Sequence, residues 1–150
     1  LFGFHMRCLR RILGITWQEK VTNKVVLEKA GIPSLYTLLK QRRMRWLGHV
    51  TRMKDGRIPK DLLYGELATG KRPTGRPQLR FKDVCKRDLQ ALGINTDSWE
   101  VTATDRDAWR HTVKVGLSQY EETQRVKAEE KRLRKKTVCL ASYSLHMFQV

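Results

Sequence analysis

The chain has 150 residues, 40 % of them hydrophobic and 31 % charged, and carries 31 Lys and Arg against 15 Asp and Glu for a formal net charge of +16. This length and apolar share allow one modest core, and the charge excess points to a polyanion, nucleic acid or an anionic membrane surface, rather than to turnover of a small molecule. No uncharged apolar run approaches the ~18 residues of a membrane span, the arginines at 7, 10 and 11 break up the apolar start that a signal peptide needs, and Cys8, Cys85 and Cys139 are too few and too far apart for a disulfide framework, which fits a reducing compartment.

Taken in chain order, almost every segment reads as helix. Phe4 to Ile15 is amphipathic, with Leu9, Ile12 and Leu13 on one side and Arg7, Arg10 and Arg11 on others, and Gly14 ends it. Thr16 and Glu19 have capping-box spacing, and Thr22 is an N-cap for a helix running to Ala30, with Val25, Val26 and Leu27 buried and Gly31 as its stop. After Ile32 and Pro33, Ser34 caps a long helix to Met53 whose apolar stripe is Leu35, Leu38, Leu39, Trp46, Val50 and Met53. Gly48 inside that helix costs ~1 kcal/mol of propensity, which suits close approach by another helix or a phosphate backbone. Lys54-Asp55-Gly56 is a turn, and Pro59 opens a short helix through Tyr64.

Residues 68 to 78 hold two glycines and two prolines and show no periodicity, so they read as loop. Gln78 to Leu92 is helical again, with Phe81, Val84, Cys85, Leu89 and Leu92 inward and Gly93 as its end. Asp105 and Asp107 open the last long helix, where negative charge meets the positive helix end, and Trp109, Val113, Leu117 and Tyr120 are its buried stripe. The fold class is therefore all-α: a helical domain over 1–120, a charged projecting helix over 121–136 and an unstructured tail over 137–150, where no period fits. Leu1 in place of Met at the start, and the abrupt change of character after Lys136, suggest a piece of a longer chain.

The positive charge is clustered. Residues 40 to 60 carry eight Lys or Arg against one acid and residues 71 to 87 carry seven against one, while 88 to 120 are slightly acidic. On the long helix Lys40, Arg42, Arg43, Arg45 and Arg52 are candidate phosphate ligands, since the arginine fork matches phosphate oxygens. Trp46 falls in the apolar stripe and so reads as core, though an indole there could also stack on a base; His49 lies a step off the stripe and suits a polar or phosphate contact. The helix–GIPS–helix unit resembles a helix-turn-helix in outline but lacks the small residue usual in its first helix. Gly75-Arg76-Pro77 is the core tripeptide of minor-groove hooks, yet Thr74 stands where an arginine belongs, so Lys71, Arg72, Arg76 and Arg80 read as clamps on the backbone. The alternative for both blocks is a solvated basic surface. Lys131 to Lys136, KRLRKK, would serve nuclear import or polyanion contact. Neither CxxC nor HxxxH spacing occurs, nor an Asp-Asp pair, a nucleophilic triad or a glycine-rich phosphate loop, so no metal, cofactor or catalytic group is expected.

RRMRWLGHVTRM, preceded by HMRCLRRILGITWQEKVTN and followed by DLLYGELATGKRPTGRPQLRFKDVCKRDL and DRDAWRHTV, resembles the region downstream of the polymerase fingers, palm and thumb in non-LTR (LINE-type) retrotransposon reverse transcriptases. The likeness runs from about Phe4 to Leu117. It implies a segment that helps grip template RNA and target DNA, with the helix motif supplying Arg42, Arg43, Arg45, Trp46, His49 and Arg52 and the loop motif supplying Lys71, Arg72, Arg76 and Arg80. The polymerase metal ligands of the family lie upstream, outside this chain, and its Cys/His zinc segment is not matched, because only Cys139 and His146 follow Lys136. The expectation is a non-catalytic fragment binding RNA, DNA or both, without a small-molecule substrate or membrane partner, in the nucleus or a cytoplasmic ribonucleoprotein. The alternative is an inactive retroelement relic that binds polyanions indiscriminately.

Overall fold

The helices form where apolar periodicity and caps coincide. In the computed structural model, which describes residues 1–65 and 79–147 (138–147 as backbone), seven α-helices follow one another: α1 Phe2–Ile12, α2 Asn23–Ala30, α3 Leu35–Thr51, α4 Ile58–Tyr64, α5 Phe81–Ala91, α6 Trp99–Thr104 and α7 Arg106–Met147. Among the described residues there is no strand, and no helix is long and apolar enough to cross a membrane. The Ser34 hydroxyl accepts the Thr37 amide at 3.2 Å and so caps α3. Gly31 stops α2 in the left-handed region at φ 64°. Between α1 and α2, the Thr16 amide donates to the Glu19 carboxylate at 2.8 Å across a 3-10 turn.

The core lies where α3, α5, α6 and α7 meet. Met44, Leu47 and Val50 of α3 pack against Cys85 and Leu89 of α5, Leu92, Ala103 of α6, and Trp109, Val113 and Leu117 of α7, with Leu63 of α4 at the edge. Helices α3 and α7 run antiparallel. Arg52 meets Ala103, Gly48 meets Trp109, Lys40 lies over Tyr120, and the Ser34 amide donates to the Glu121 carboxylate.

Gly48 is the close-approach residue expected of it. A Cβ there would stand 2.3 Å from Trp109 Nε1, inside van der Waals contact. That indole N–H donates to the Met44 carbonyl at 2.9 Å, so the ring cannot step aside without orphaning a buried donor. Helix α7 pays the same toll at Gly116, where a Cβ would lie 2.7 Å from the Leu92 carbonyl oxygen.

Several burial expectations change. Ile12 is 78 % exposed, and Met6 is buried in its place. Helix α1 therefore turns its Met6 side to α2 and α3, with Phe2 stacked on Tyr36 at 5.9 Å. Val25 is exposed while Val26 is buried, because consecutive residues of a helix point about 100° apart and only the Val26 direction is covered. Phe81, at the first turn of α5, is 39 % exposed, since its helix begins there and no element packs over it among the described residues. The backbone of α7 continues to Met147, past the Lys136 end expected for the charged helix. Nothing from Leu117 to Met147 is Gly or Pro, so no residue there stops a helix.

Candidate nucleic-acid interface

Helix α3 presents two basic edges, and the fold treats them differently. Lys40 and Arg43 turn toward α5, where both donate to the carboxylate of Asp88 at 2.5 Å. Asp88 is only 3 % exposed, and two cations compensate a charge that burial alone would penalise. Lys40 Nζ also lies 5.0 Å from the Tyr120 ring centroid. The nearby Cys85 thiol is pushed up to about 12 by burial and by the Asp88 carboxylate, which makes it a core residue rather than a reactive one.

The other edge carries Arg42, Arg45 and His49, all exposed, with Arg52 half-buried at its end. It borders a groove of about 760 Å³ whose far wall is α7. From that wall come Arg106, Arg110 and Lys114, spaced one turn apart, and among the described residues the groove is lined by six Arg or Lys and by no carboxylate. Among the described residues, no carboxylate lies within ion-pair distance of Arg42, Arg45, Arg106 or Lys114, and Arg110 has one partner, the exposed Asp107 at 3.6 Å. Like charges brought together in this way focus a positive potential. Arg52 closes one end, donating to the Ala103 carbonyl at 2.6 Å and tying the end of α3 to α6.

Trp46 departs from its expected place in the core. It is 47 % exposed, tilted against His49 with ring centroids 5.5 Å apart. Met44 and Leu47 join the expected Val50 in the buried stripe instead, because α7 crosses α3 at Gly48 and sets which side faces in.

Of the residues named from sequence, Arg42, Arg45, Trp46, His49 and Arg52 therefore share one groove, whereas Lys40 and Arg43 are engaged by Asp88. Arg80 lies apart, 3.7 Å from Asp83 at the start of α5, and with Trp46 it borders a second hollow beside α4. Lys71, Arg72 and Arg76 lie outside the described residues. Arg106, Arg110 and Lys114 were not anticipated, since their stretch is acidic on balance. Their i, i+4, i+8 spacing, offset by three from Trp109, Val113 and Leu117, was the available signal for a basic row beside the buried one. Among the described residues no three His, Cys, Asp or Glu side chains gather as a metal site would require.

The chain is similar to a transposon-derived protein of Caenorhabditis elegans. The two are 29 % identical over 112 residues, covering 70 % of this chain and 40 % of that protein, whose own role is uncharacterized. The chain thus spans well under half of this relative's length. No family model matches the chain, and no solved structure matches it. The likeness carries a transposon connection and no residue assignment.

Proposed function

We propose that this chain is a non-catalytic nucleic-acid-binding segment of a retroelement protein, from the region downstream of the polymerase in a non-LTR reverse transcriptase, and that it grips phosphate through the α3–α7 groove. The observation that carries this reading is the convergence of Arg42, Arg45, Arg52, Arg106, Arg110 and Lys114 on one open groove between α3 and α7 that no carboxylate lines among the described residues. A surface selected only for solubility mixes both signs. The transposon-derived relative and the sequence resemblance supply the context, and the net charge of +16 supplies long-range attraction.

A salt titration tests it. If about five phosphates are neutralised, affinity falls roughly 10²- to 10³-fold between 50 and 200 mM salt, less steeply for single strands than for duplexes. Replacing Arg42, Arg45, Arg106 and Arg110 by Gln flattens that slope and abolishes most binding. The same charge removed from the projecting part of α7, by replacing Lys131, Arg132, Arg134 and Lys135 with Gln, has little effect. Equal losses in both variants would mean that net charge alone binds polyanions, which is the behaviour of a relic.

A further inference from the structure

The aromatic ring bordering the groove and the second helix beside it bear on which nucleic acid the groove takes. We infer that the groove accommodates an unpaired strand of RNA or DNA, with Trp46 as the stacking platform for a base and the flanking arginines as phosphate clamps; this rests on the phosphate-gripping reading above and names its substrate class.

Three observations favour the single strand over a duplex. First, Trp46 is a large apolar ring left 47 % exposed among charged neighbours, although the same helix buries Met44 and Leu47 completely. A duplex hides the faces of its bases in its own stack, so an indole at the contact surface gains little from it; an unpaired base offers that face directly. Second, Trp46 is a ridge shared by two hollows, the basic groove on one side and, on the other, a hollow bordered by Phe81, Arg80 and Lys82. That hollow is otherwise apolar, lined by Val50, Pro59, Leu62 and Leu63, and an exposed ring beside cations is what a backbone with splayed bases requires. Third, α3 cannot act as a recognition helix on its own. The B-form major groove is about 12 Å wide and admits one helix, whereas the basic edge of α3 shares its groove with Arg106, Arg110 and Lys114 of α7. Two helices packed about 8–10 Å apart, each about 10 Å across, are too broad to enter together.

The arrangement divides the labour. Arg42 and Arg45 precede Trp46 by about one turn of α3, and in the antiparallel register Arg110 and Lys114 face this part of α3 from α7. A base laid on the indole would have phosphates on either side within reach of long, flexible cations. His49 lies tilted against the indole, and Trp46 keeps 47 % exposure as surface on which a base can stack.

The test uses the full chain with fluorescent ten-residue probes: oligo-U, oligo-dT, an oligo-dT of equal charge with its central bases removed, and a hairpin duplex with the same number of phosphates. Trp46→Ala is compared with Trp46→Phe and with the arginine-to-glutamine variant of the groove; circular dichroism confirms the helix content of each. Trp46→Ala is expected to weaken the unpaired probes by about 5- to 100-fold, to leave duplex binding within twofold and to leave the salt slope unchanged, while Trp46→Phe keeps most of the affinity. The base-free probe is expected to bind wild type as weakly as oligo-dT binds Trp46→Ala, with no further loss when the two are combined. Oligo-U against oligo-dT shows which of the two kinds of unpaired strand is preferred. Stacking is overturned if Trp46→Ala leaves unpaired probes unaffected, or if it weakens duplex and unpaired probes alike. If Trp46→Ala has its effect while the arginine variant binds normally, the phosphate grip fails instead.

Discussion

Between Trp109 and Leu117, α7 buries a side chain at each turn against α3, whereas from Glu122 to Thr137 every side chain of the same helix is exposed. The first stretch is helical because tertiary packing requires it; Trp109, Val113 and Leu117 at i, i+4 and i+8 bring one apolar face to the core. The second has no face to bury and relies on strong helix formers and local ion pairs such as Arg125 with Glu122 at 2.8 Å. The projection is tied to the rest of the molecule by Lys24 of α2 with Glu129, 3.1 Å apart and exposed to solvent. The contrast separates two sources of helix: burial in the domain and propensity in the projection.

The comparison breaks first at Trp109. Trp109→Ala removes a 2 % exposed indole from the α3–α7 seam and leaves the second lone pair of the Met44 carbonyl without its donor. Its expected cost is about 3–5 kcal/mol in urea unfolding, a large part of what a domain of this size has to lose. A loss below about 1 kcal/mol would show that the seam is not the core. Next comes Asp88→Ala, which strands Lys40 and Arg43. Removing one partner of a fully buried pair costs 3–5 kcal/mol, and here about 2 kcal/mol is expected because the lysine and arginine side chains keep 14 % and 29 % of their exposure and can turn to water. The same variant frees two cations on the opposite edge of α3 from the groove, so polyanion binding should strengthen slightly through long-range attraction while stability falls.

A smaller effect appears at alkaline pH. The Cys85 thiol ionises near 9.0 when unfolded and at about 12 in the fold. Below pH 9 both states hold the proton and stability is unaffected. Between pH 9 and 12 the unfolded chain has released it and the folded chain has not, so stability declines as pH rises. Unfolding followed against pH should release up to one proton in this window, and Cys85→Ala should remove that contribution. The Tyr64 hydroxyl, also raised chiefly by burial, contributes in the same direction from above its ordinary value of 10.0. The smallest change is expected from ending the chain after Glu121, which keeps the Ser34–Glu121 contact: the thermal midpoint of the domain should not move measurably, while the helical signal falls with the residues removed. A marked drop in the midpoint would show that the projecting part of α7 packs on the domain after all.

The all-α class, Ser34 as a cap, Gly31 and Gly93 as stops, and the Trp109–Val113–Leu117 row were legible in the sequence, because each depends on neighbours within four residues. The clustering of positive charge around residues 40 to 60 was equally plain. The sequence alone could not say which of those cations are spoken for. Lys40 and Arg42 differ by two positions on one helix, yet the first answers a buried aspartate 48 residues away and the second lies open in the groove. Nor could it place Trp46, since an apolar stripe at period 3.6 is wider than the contact that finally covers it, and the crossing at Gly48 decides which edge stays outside. Local periodicity determined the helices and their charge. The partners that meet across α3, α5 and α7 were decided by the tertiary fold, because desolvation and ion pairing depend on distance in space, which the order of residues along the chain does not set.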